Sequence, residues 1–216
     1  MKAVIFDMDG VLFDTESLGF SAWDYACKKL NIKPASKLAC KTLGMNEAAV
    51  NEVLRKYYGS DFEIQKFRSL CREYTYAHFE KHGIPQKPYL EETLKRLKSG
   101  GFKIALASST GSNGVYRNLK DAKIETFFDA VVCGDRIQNS KPAPDIYLAA
   151  AGALAVSPAD CFAVEDSKNG ILSAHSAGMN VIMIPDLWQG DTETHALLFA
   201  KCQDLKSAAE IMLKYT

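Results

Sequence analysis

The sequence predicts an α/β protein with a parallel sheet, helices on both faces of that sheet, and a helical insertion near the start of the chain. Two observations support this prediction. Short apolar runs alternate with stretches of helical periodicity over the second half of the chain. One long early stretch, 15–82, shows helical periodicity alone. Alternation of strand and helix is the pattern that parallel α/β sheets produce.

Five apolar runs predict the strands of the sheet. Buried parallel strands tend to be continuously apolar, because helices cover both of their faces. The runs are residues 2–7, 102–107, 130–133, 161–164 and 180–184. Helical stretches at 112–121, 143–154 and 168–177 separate the later runs. The sheet is therefore expected to contain these five strands in parallel.

The stretch 15–82 predicts about four helices and no strand. Its apolar residues recur at helical spacing, as in Trp23, Ala26, Cys27 and Leu30. An insertion at this point divides the chain into a discontinuous core, residues 1–14 and 83–216, and a helical cap, residues 15–82. A core that is split by a helical insertion suggests a lid over an active site.

The composition is that of a globular protein with a sizeable core. Of the 216 residues, 47% are hydrophobic and 24% are charged. Lysine plus arginine and aspartate plus glutamate both number 26, so the formal net charge is zero. Binding to nucleic acid or to a membrane surface needs a basic footprint, so neither partner is expected. A monomer is expected from the neutral charge and the short length.

The sequence also predicts a cytoplasmic location. Asp7 and Asp9 interrupt the first apolar run, and no run is long enough for a signal peptide or a transmembrane helix. The six cysteines are scattered along the chain, and none of them forms a C-x-x-C pair. Scattered thiols fit a reducing compartment better than a disulfide framework.

Polar and charged side chains follow four of the five predicted strands. Ligands of open parallel sheets bind outside the carboxyl ends of the strands, so residues there are candidates for a functional site. The residues concerned are Asp7, Asp9 and Gly10 after the first strand, Ser108 and Ser109 after the second, Lys141 beyond a loop after the third, and Glu165 and Asp166 after the fourth. Carboxylates, a lysine and hydroxyl groups would thus meet at one edge of the sheet.

This set of residues predicts a site for a phosphate group and a metal ion. Clustered carboxylates repel one another unless a cation lies between them, and all-oxygen ligation favours a hard ion such as Mg²⁺. A lysine can neutralise a phosphoryl oxygen, and a serine before a helix can donate to an anion. Asp7 and Asp9 can divide the roles of nucleophile and general acid and base. A single aspartate at a strand end is more often a structural cap. Capping does not explain why charged or hydroxyl-bearing residues follow four strands of the same predicted sheet.

The same residues resemble the four motifs of the haloacid dehalogenase superfamily. The segment from Asp7 to Glu16 resembles the first motif in the subfamily IA branch, which includes phosphatases similar to β-phosphoglucomutase and phosphoglycolate phosphatase. Ser108 resembles the second motif, Lys141 the third, and the pair Glu165–Asp166 the fourth. The resemblance covers essentially the whole chain. It implies a Rossmann-like core with a helical cap inserted after the first strand.

The resemblance also implies a role for each motif residue. Asp7 would become a phospho-aspartate, and Asp9 would be the general acid and base. Mg²⁺ would be held by Asp7, the backbone carbonyl of Asp9 and Asp166, with Glu165 as a further contributor. The phosphoryl group would be bound by the residues Ser108, Ser109, Lys141 and Gly10. The expected substrate is a small phosphomonoester, with a sugar phosphate among the candidates.

Several alternatives to a phosphatase remain at this point. A β-phosphoglucomutase is the main rival, but the resemblance implies a cap-loop arginine for its second phosphate, and Glu47 stands near that place. Gly19 replaces the cap histidine expected in such a mutase, and no lysine follows Ser108 closely. A metal-free dehalogenase is disfavoured by Asp9. A phospho-accepting signalling module and a catalytically idle binding protein are the remaining alternatives.

Overall fold

The computed structural model describes residues 2–215 and contains one six-stranded sheet in which every pairing is parallel. The strand order is β3-β2-β1-β4-β5-β6. The strands are β1 (Ala3–Phe6), β2 (Lys103–Ser108), β3 (Ala130–Cys133), β4 (Cys161–Glu165), β5 (Asn180–Met183) and β6 (Ala200–Lys201). All five strands predicted from the sequence are confirmed. Strand β6 was not predicted, because two residues at the edge of a sheet form no apolar run.

Strand β1 occupies the centre of the sheet and sets the position of the candidate site. All four of its residues are fully buried, since β2 and β4 flank it and helices cover both faces. Phe6 is level with Leu106 on β2 and with Val164 on β4. The three strands therefore end side by side, and the strand order changes direction between β1 and β4, where ligands of such sheets bind.

Six helices follow the insertion and cover the two faces of the sheet. They are α5 (Leu90–Ser99), α6 (Ser112–Asp121), α7 (Asp145–Leu154), α8 (Lys168–Ser176), α9 (Thr192–His195) and α10 (Leu205–Lys214). Two apolar clusters result, one on each face: Phe6 and Leu106 belong to one, Ile5 and Ala163 to the other. The prediction of helix from residue 143 was two residues early, because Pro144 is the N-cap of α7 and starts the helix at Asp145.

Four helices form the insertion between β1 and α5. They are α1 (Glu16–Leu30), α2 (Ser36–Ala39), α3 (Glu47–Tyr58) and α4 (Ile64–His82). They have a hydrophobic cluster of their own, in which the ring of Trp23 meets that of Phe67 edge-on with centroids 5.3 Å apart. The prediction that residues 15–82 are helical and contain no strand is thus confirmed. The domain boundaries at 14/15 and 82/83 stay a prediction. Within residues 2–215 no helix combines the length and the apolar character that a membrane span requires.

The loop 43–46, here called the cap loop, joins the insertion to the carboxyl edge of the sheet. Three hydrogen bonds hold it there. The Ser109 hydroxyl donates to the Gly44 carbonyl at 2.8 Å, the Asn169 amide donates to the Leu43 carbonyl at 2.9 Å, and the Asn46 backbone N–H donates to Ser140 Oγ at 3.1 Å. Gly44 has φ +74, and a Cβ there would lie 2.6 Å from Ser167 Oγ. The insertion is therefore closed over the strand ends.

Candidate active site

A tight turn after β1 places two aspartates at the centre of the site. The Asp7 N–H donates to the Val164 carbonyl and so extends the pairing of β1 by one residue. Gly10 has φ +82, a conformation that favours glycine, and a Cβ at this position would lie 2.2 Å from Asp166 Oδ2. Gly10 is therefore required both by the backbone and by the space that Asp166 occupies. The turn brings Asp9 back to the cavity beside Asp7.

Three carboxylates, those of Asp7, Glu165 and Asp166, meet beside β1 and β4. One oxygen from each lies within 4.8 Å of the others, and all three residues are buried. Lys141 reaches the same point from the loop after β3, and its Nζ donates to Asp7 Oδ1 and Glu165 Oε1, both at 2.6 Å. The structure thus brings together residues from three of the segments that the sequence analysis placed at one edge of the sheet.

Burial controls the protonation of these groups. Desolvation raises the pKa of Asp7 to about 7, although the ammonium group of Lys141 acts in the opposite direction. Desolvation and the charge of Glu165 hold the pKa of Asp166 well above its usual value. Burial by itself would lower the pKa of Lys141, but the carboxylates of Asp7 and Glu165 outweigh it and raise that pKa. Lys141 is therefore a permanent cation close to two acids, Asp7 and Asp166, that hold their protons unusually well.

Glu165 is already fully engaged by the protein. Its Oε1 accepts from Lys141 and, at 2.7 Å, from the Tyr147 hydroxyl. Its Oε2 accepts from the backbone N–H groups of Asp166 and Ser167 and from the Ser167 hydroxyl. Gly170 packs so closely on this carboxylate that a Cβ would lie 1.9 Å from its carboxyl carbon. These contacts favour a role for Glu165 in orienting Lys141 over direct ligation of a metal.

Asp9 has different partners from Asp7. Its two oxygens accept from the hydroxyl of Thr15 at 2.5 Å and from the hydroxyl of Thr110 at 2.8 Å. Both partners of Asp9 are uncharged hydroxyl groups, whereas the partner of Asp7 is the Lys141 ammonium group. Two carboxylates in such different environments can carry out different chemical steps.

The proposed phosphate-binding residues do not all face the cavity in the same way. Ser108 is fully buried, and its oxygen accepts from the Thr110 N–H at 3.1 Å, which leaves its hydroxyl proton available to a ligand. Ser109 lines the cavity, but its hydroxyl is already used by the cap loop. Gly10 supports Asp166. The roles of Ser108, Ser109, Lys141 and Gly10 in phosphate binding stay predictions.

The cavity in front of Asp7 and Asp9 has a volume of about 240 Å³. The insertion supplies its outer wall through Glu16, Trp23 and Met45. Burial, together with the charges of Asp9 and Asp7, raises the pKa of Glu16 to about 8. The cavity is therefore small and lined by acidic side chains. Residues of both the insertion and the core enclose it.

Two functional contacts escaped the sequence analysis. Tyr147 lies in the alanine-rich helix α7 and is fully buried, so its hydroxyl needs a partner. A tyrosine inside an otherwise apolar helix was the signal that could have revealed it. The hydrogen bond from Thr110 to Asp9 joins residues 101 positions apart in the sequence, and no local sequence pattern predicts it. Glu47, which stands near the place where a mutase would have its phosphate-binding arginine, lies 3.5 Å from Arg68.

This fold and this cluster of acids and a lysine define a hydrolase of the haloacid dehalogenase type. A sequence model of the haloacid dehalogenase-like hydrolase family matches residues 4–184. The chain belongs to this family, as its four motifs indicated.

Named relatives refine the position of the chain within the family. It is 34% identical over 182 residues to the phosphorylated carbohydrates phosphatase of Thermotoga maritima, a match that covers 84% of each chain. It is also 34% identical over 186 residues to the β-phosphoglucomutase of Bacillus subtilis, covering 83% of this chain and 81% of that one. The solved β-phosphoglucomutase of Clostridium difficile superposes with a TM-score of 0.80 at 25% identity, over 100% of this chain and 98% of the other.

Proposed function

We propose that this protein is a Mg²⁺-dependent phosphatase that hydrolyses a small phosphomonoester, with a sugar phosphate as the first candidate, through a phospho-aspartyl intermediate on Asp7. The observation that carries the proposal is the placement of Asp7. Its carboxylate ends the central strand, contacts the Lys141 ammonium group at 2.6 Å and lines a cavity that also contains Asp9. Phosphoryl transfer needs chiefly an in-line nucleophile, charge neutralisation and positioning, and this arrangement supplies each of them.

The donor set fits a hard divalent cation. Asp7 and Asp166 offer carboxylate oxygens, and the cluster they form with Glu165 contains no nitrogen or sulfur ligand. The family resemblance implies the backbone carbonyl of Asp9 as a further ligand. The raised pKa values of Asp7 and Asp166 reflect a site that stabilises negative charge poorly without a further cation. A bound Mg²⁺ would supply that positive charge to the aspartates and to the phosphoryl oxygens.

The residues of the chain divide the reaction into two halves. In the first, an oxygen of Asp7 forms a bond to phosphorus while the bond from phosphorus to the ester oxygen breaks. Asp9 gives its proton to that departing oxygen, and Lys141 neutralises the charge on Asp7 and the phosphoryl oxygens. In the second, Asp9 takes a proton from a water molecule, whose oxygen attacks phosphorus and releases the Asp7 carboxylate. The hydroxyl groups of Thr15 and Thr110 hold Asp9 in position for both transfers.

The test is phosphate release from a panel of phosphomonoesters, with Mg²⁺ and with a chelator. We expect release by the wild type with Mg²⁺ only, complete loss in Asp7→Asn, and a loss of at least about 100-fold in Asp9→Asn, since general acid and base catalysis contributes that much. Asp24→Asn is the matched control, because Asp24 is exposed on α1. Undiminished release by Asp7→Asn would exclude the proposed nucleophile.

A phosphosugar mutase is the second candidate, because the chain is as similar to a named β-phosphoglucomutase as to a named phosphatase. Two features favour the phosphatase. The cap loop is followed by Glu47, which is paired with Arg68, and Gly19 presents no side chain to the cavity. The panel therefore includes β-glucose 1-phosphate. Its rapid conversion to glucose 6-phosphate, without release of phosphate, would favour the mutase.

A further inference from the structure

We propose that Asp186 is a positioning residue for the divalent cation of the candidate site, with one carboxylate oxygen held by Lys87 and the other kept as a buried acceptor for the hydrated cation. Asp186 would act on the cation through water, without becoming a ligand. This inference rests on the Mg²⁺ site of the proposed function. The observations behind it lie beside that site, in the loop after β5 and in the two segments that join the insertion to the core.

Asp186 lies at the same edge of the sheet as the carboxylate cluster. Strand β5 pairs with β4 so that Met183 is level with Glu165, and the Ile184 N–H donates to the Glu165 carbonyl at 2.8 Å. Asp166 comes directly after β4, and Asp186 follows shortly after β5. The two acids therefore lie beyond the ends of neighbouring parallel strands, where those strands share a common edge.

The two carboxylate oxygens of Asp186 have different surroundings. Oδ1 accepts from Lys87 Nζ at 2.7 Å. Oδ2 is buried and has no hydrogen-bond partner among residues 2–215. Only 11% of the Asp186 side chain is exposed, whereas 50% is exposed for Asp14, the other acidic partner of Lys87. A buried acceptor without a donor costs free energy, so a ligand that brings a donor to Oδ2 binds with a corresponding gain.

Lys87 is fixed by the two segments that join the insertion to the core. The Asp14 N–H donates to the Pro85 carbonyl, and the Lys87 N–H donates to the Leu12 carbonyl, both at 2.9 Å. These bonds pair the segment that enters the insertion with the segment that leaves it. The side chain of Lys87 also donates to Asp14 Oδ1 at 3.2 Å. A lysine held by its backbone and by two carboxylates keeps Asp186 in one orientation, in which Oδ2 stays available to a ligand.

The donor that suits Oδ2 of Asp186 is a water molecule carried by the cation. The three carboxylates that lie within 4.8 Å of one another are those of Asp7, Glu165 and Asp166, so Asp186 stands outside this set. Its charge still reaches the set, because it contributes to the raised pKa of Asp166. Mg²⁺ usually keeps several of its waters in protein sites, and groups just outside the ligands orient what the metal holds. A hydrated dication therefore satisfies both the charge and the free acceptor of Asp186.

The test is a calorimetric titration of the metal-free protein with Mg²⁺ in the absence of substrate. Asp186→Asn keeps the shape of the side chain and an oxygen that can accept from Lys87, but it removes the negative charge and one acceptor. We expect the Kd for Mg²⁺ to rise about tenfold or more, the usual effect of changing a group next to metal ligands. Asp129→Asn and Asp14→Asn are the controls and keep the wild-type Kd. Asp129 accepts from a lysine, Lys98, at 2.7 Å but precedes β3 at the opposite edge of the sheet, and Asp14 shares Lys87 with Asp186.

The Kd values for Mg²⁺ separate this inference from the proposed function. A wild-type Kd in Asp186→Asn, or an equal weakening in Asp14→Asn, overturns the inference and leaves the phosphatase standing. If Asp186→Asn does not fold, the double variant Lys87→Met/Asp186→Asn leaves no unpaired charge and carries the same expectation, and an unchanged Kd there also overturns the inference. Weaker Mg²⁺ binding by the Asp186 variants, with no phosphate release from any compound, supports the role of Asp186 and rejects the phosphatase. No Mg²⁺ binding by the wild type rejects both.

Discussion

Tyr147→Phe removes the hydroxyl group that binds Glu165 in the buried interior of the candidate site, and it leaves the packing of α7 unchanged. The hydroxyl donates to Glu165 Oε1 at 2.7 Å, and neither residue has any exposed surface. Lys141 donates to the same oxygen at 2.6 Å and remains after the substitution. The variant therefore loses one hydrogen bond to a carboxylate in a place where a replacement water has no access from the surface.

The size of the loss follows from the kind of bond. A hydrogen bond to a charged group contributes about 1.5–3 kcal/mol net, so we expect the free energy of unfolding to fall by roughly 2 kcal/mol. For a chain of this length that corresponds to a decrease in Tm of about 4–8 °C. Burial and the charges of Glu165 and Asp7 hold the pKa of Tyr147 well above its usual value. The tyrosine therefore stays a neutral donor, and the effect should be the same at pH 6 and pH 9.

Urea unfolding of the metal-free protein measures this loss, and Tyr25→Phe is the matched control. The Tyr25 hydroxyl donates to Glu73 Oε1 at 2.6 Å, so donor and acceptor are of the same types, but this bond is exposed to solvent. Water replaces the lost donor there, and no measurable change in stability is expected. If Tyr147→Phe proves as stable as Tyr25→Phe, the buried hydrogen bond from Tyr147 to Glu165 does not stabilise the fold as we infer.

Three further substitutions probe the site. Gly170→Ala places a Cβ on the carboxyl group of Glu165 and should cost about 1–3 kcal/mol in urea unfolding, whereas Gly152→Ala, with open space around it, should gain up to about 1 kcal/mol. In the folded metal-free protein the pKa of Asp7 is about 7, so Asp7 keeps its proton to about that pH, while the unfolded chain releases the proton near the ordinary aspartate pKa of 3.8. Stability should therefore fall as the pH rises from 4 to 7, and Asp7→Asn should make the urea midpoint less dependent on pH. Ser109→Ala removes one bond to the cap loop and should raise KM about fivefold in steady-state assays; an unchanged KM would show that this bond does not help to close the insertion.

The sequence predicted the sheet and the gathering of its chemical groups from local patterns. An apolar run followed at once by Asp7 predicts a buried strand with the acid at its carboxyl end. The same reasoning placed Lys141, Glu165 and Asp166, because parallel strands end at a common edge whatever the details of their packing. Strand β6 was missed, since two residues at the sheet edge carry no such pattern.

Contacts between distant segments were decided by the tertiary structure alone. Thr110 meets Asp9, Tyr147 meets Glu165, and the cap loop meets Ser109 only because the helices and the insertion dock at particular angles. The stacking of Arg117 on Tyr76 has the same origin, because the two residues lie on different parts of the chain. The sequence by itself determined which reactive groups end on the common edge, since that follows from the order of strands and polar residues. Which groups pair, and which remain free for a ligand, depends on packing geometry that no local pattern encodes.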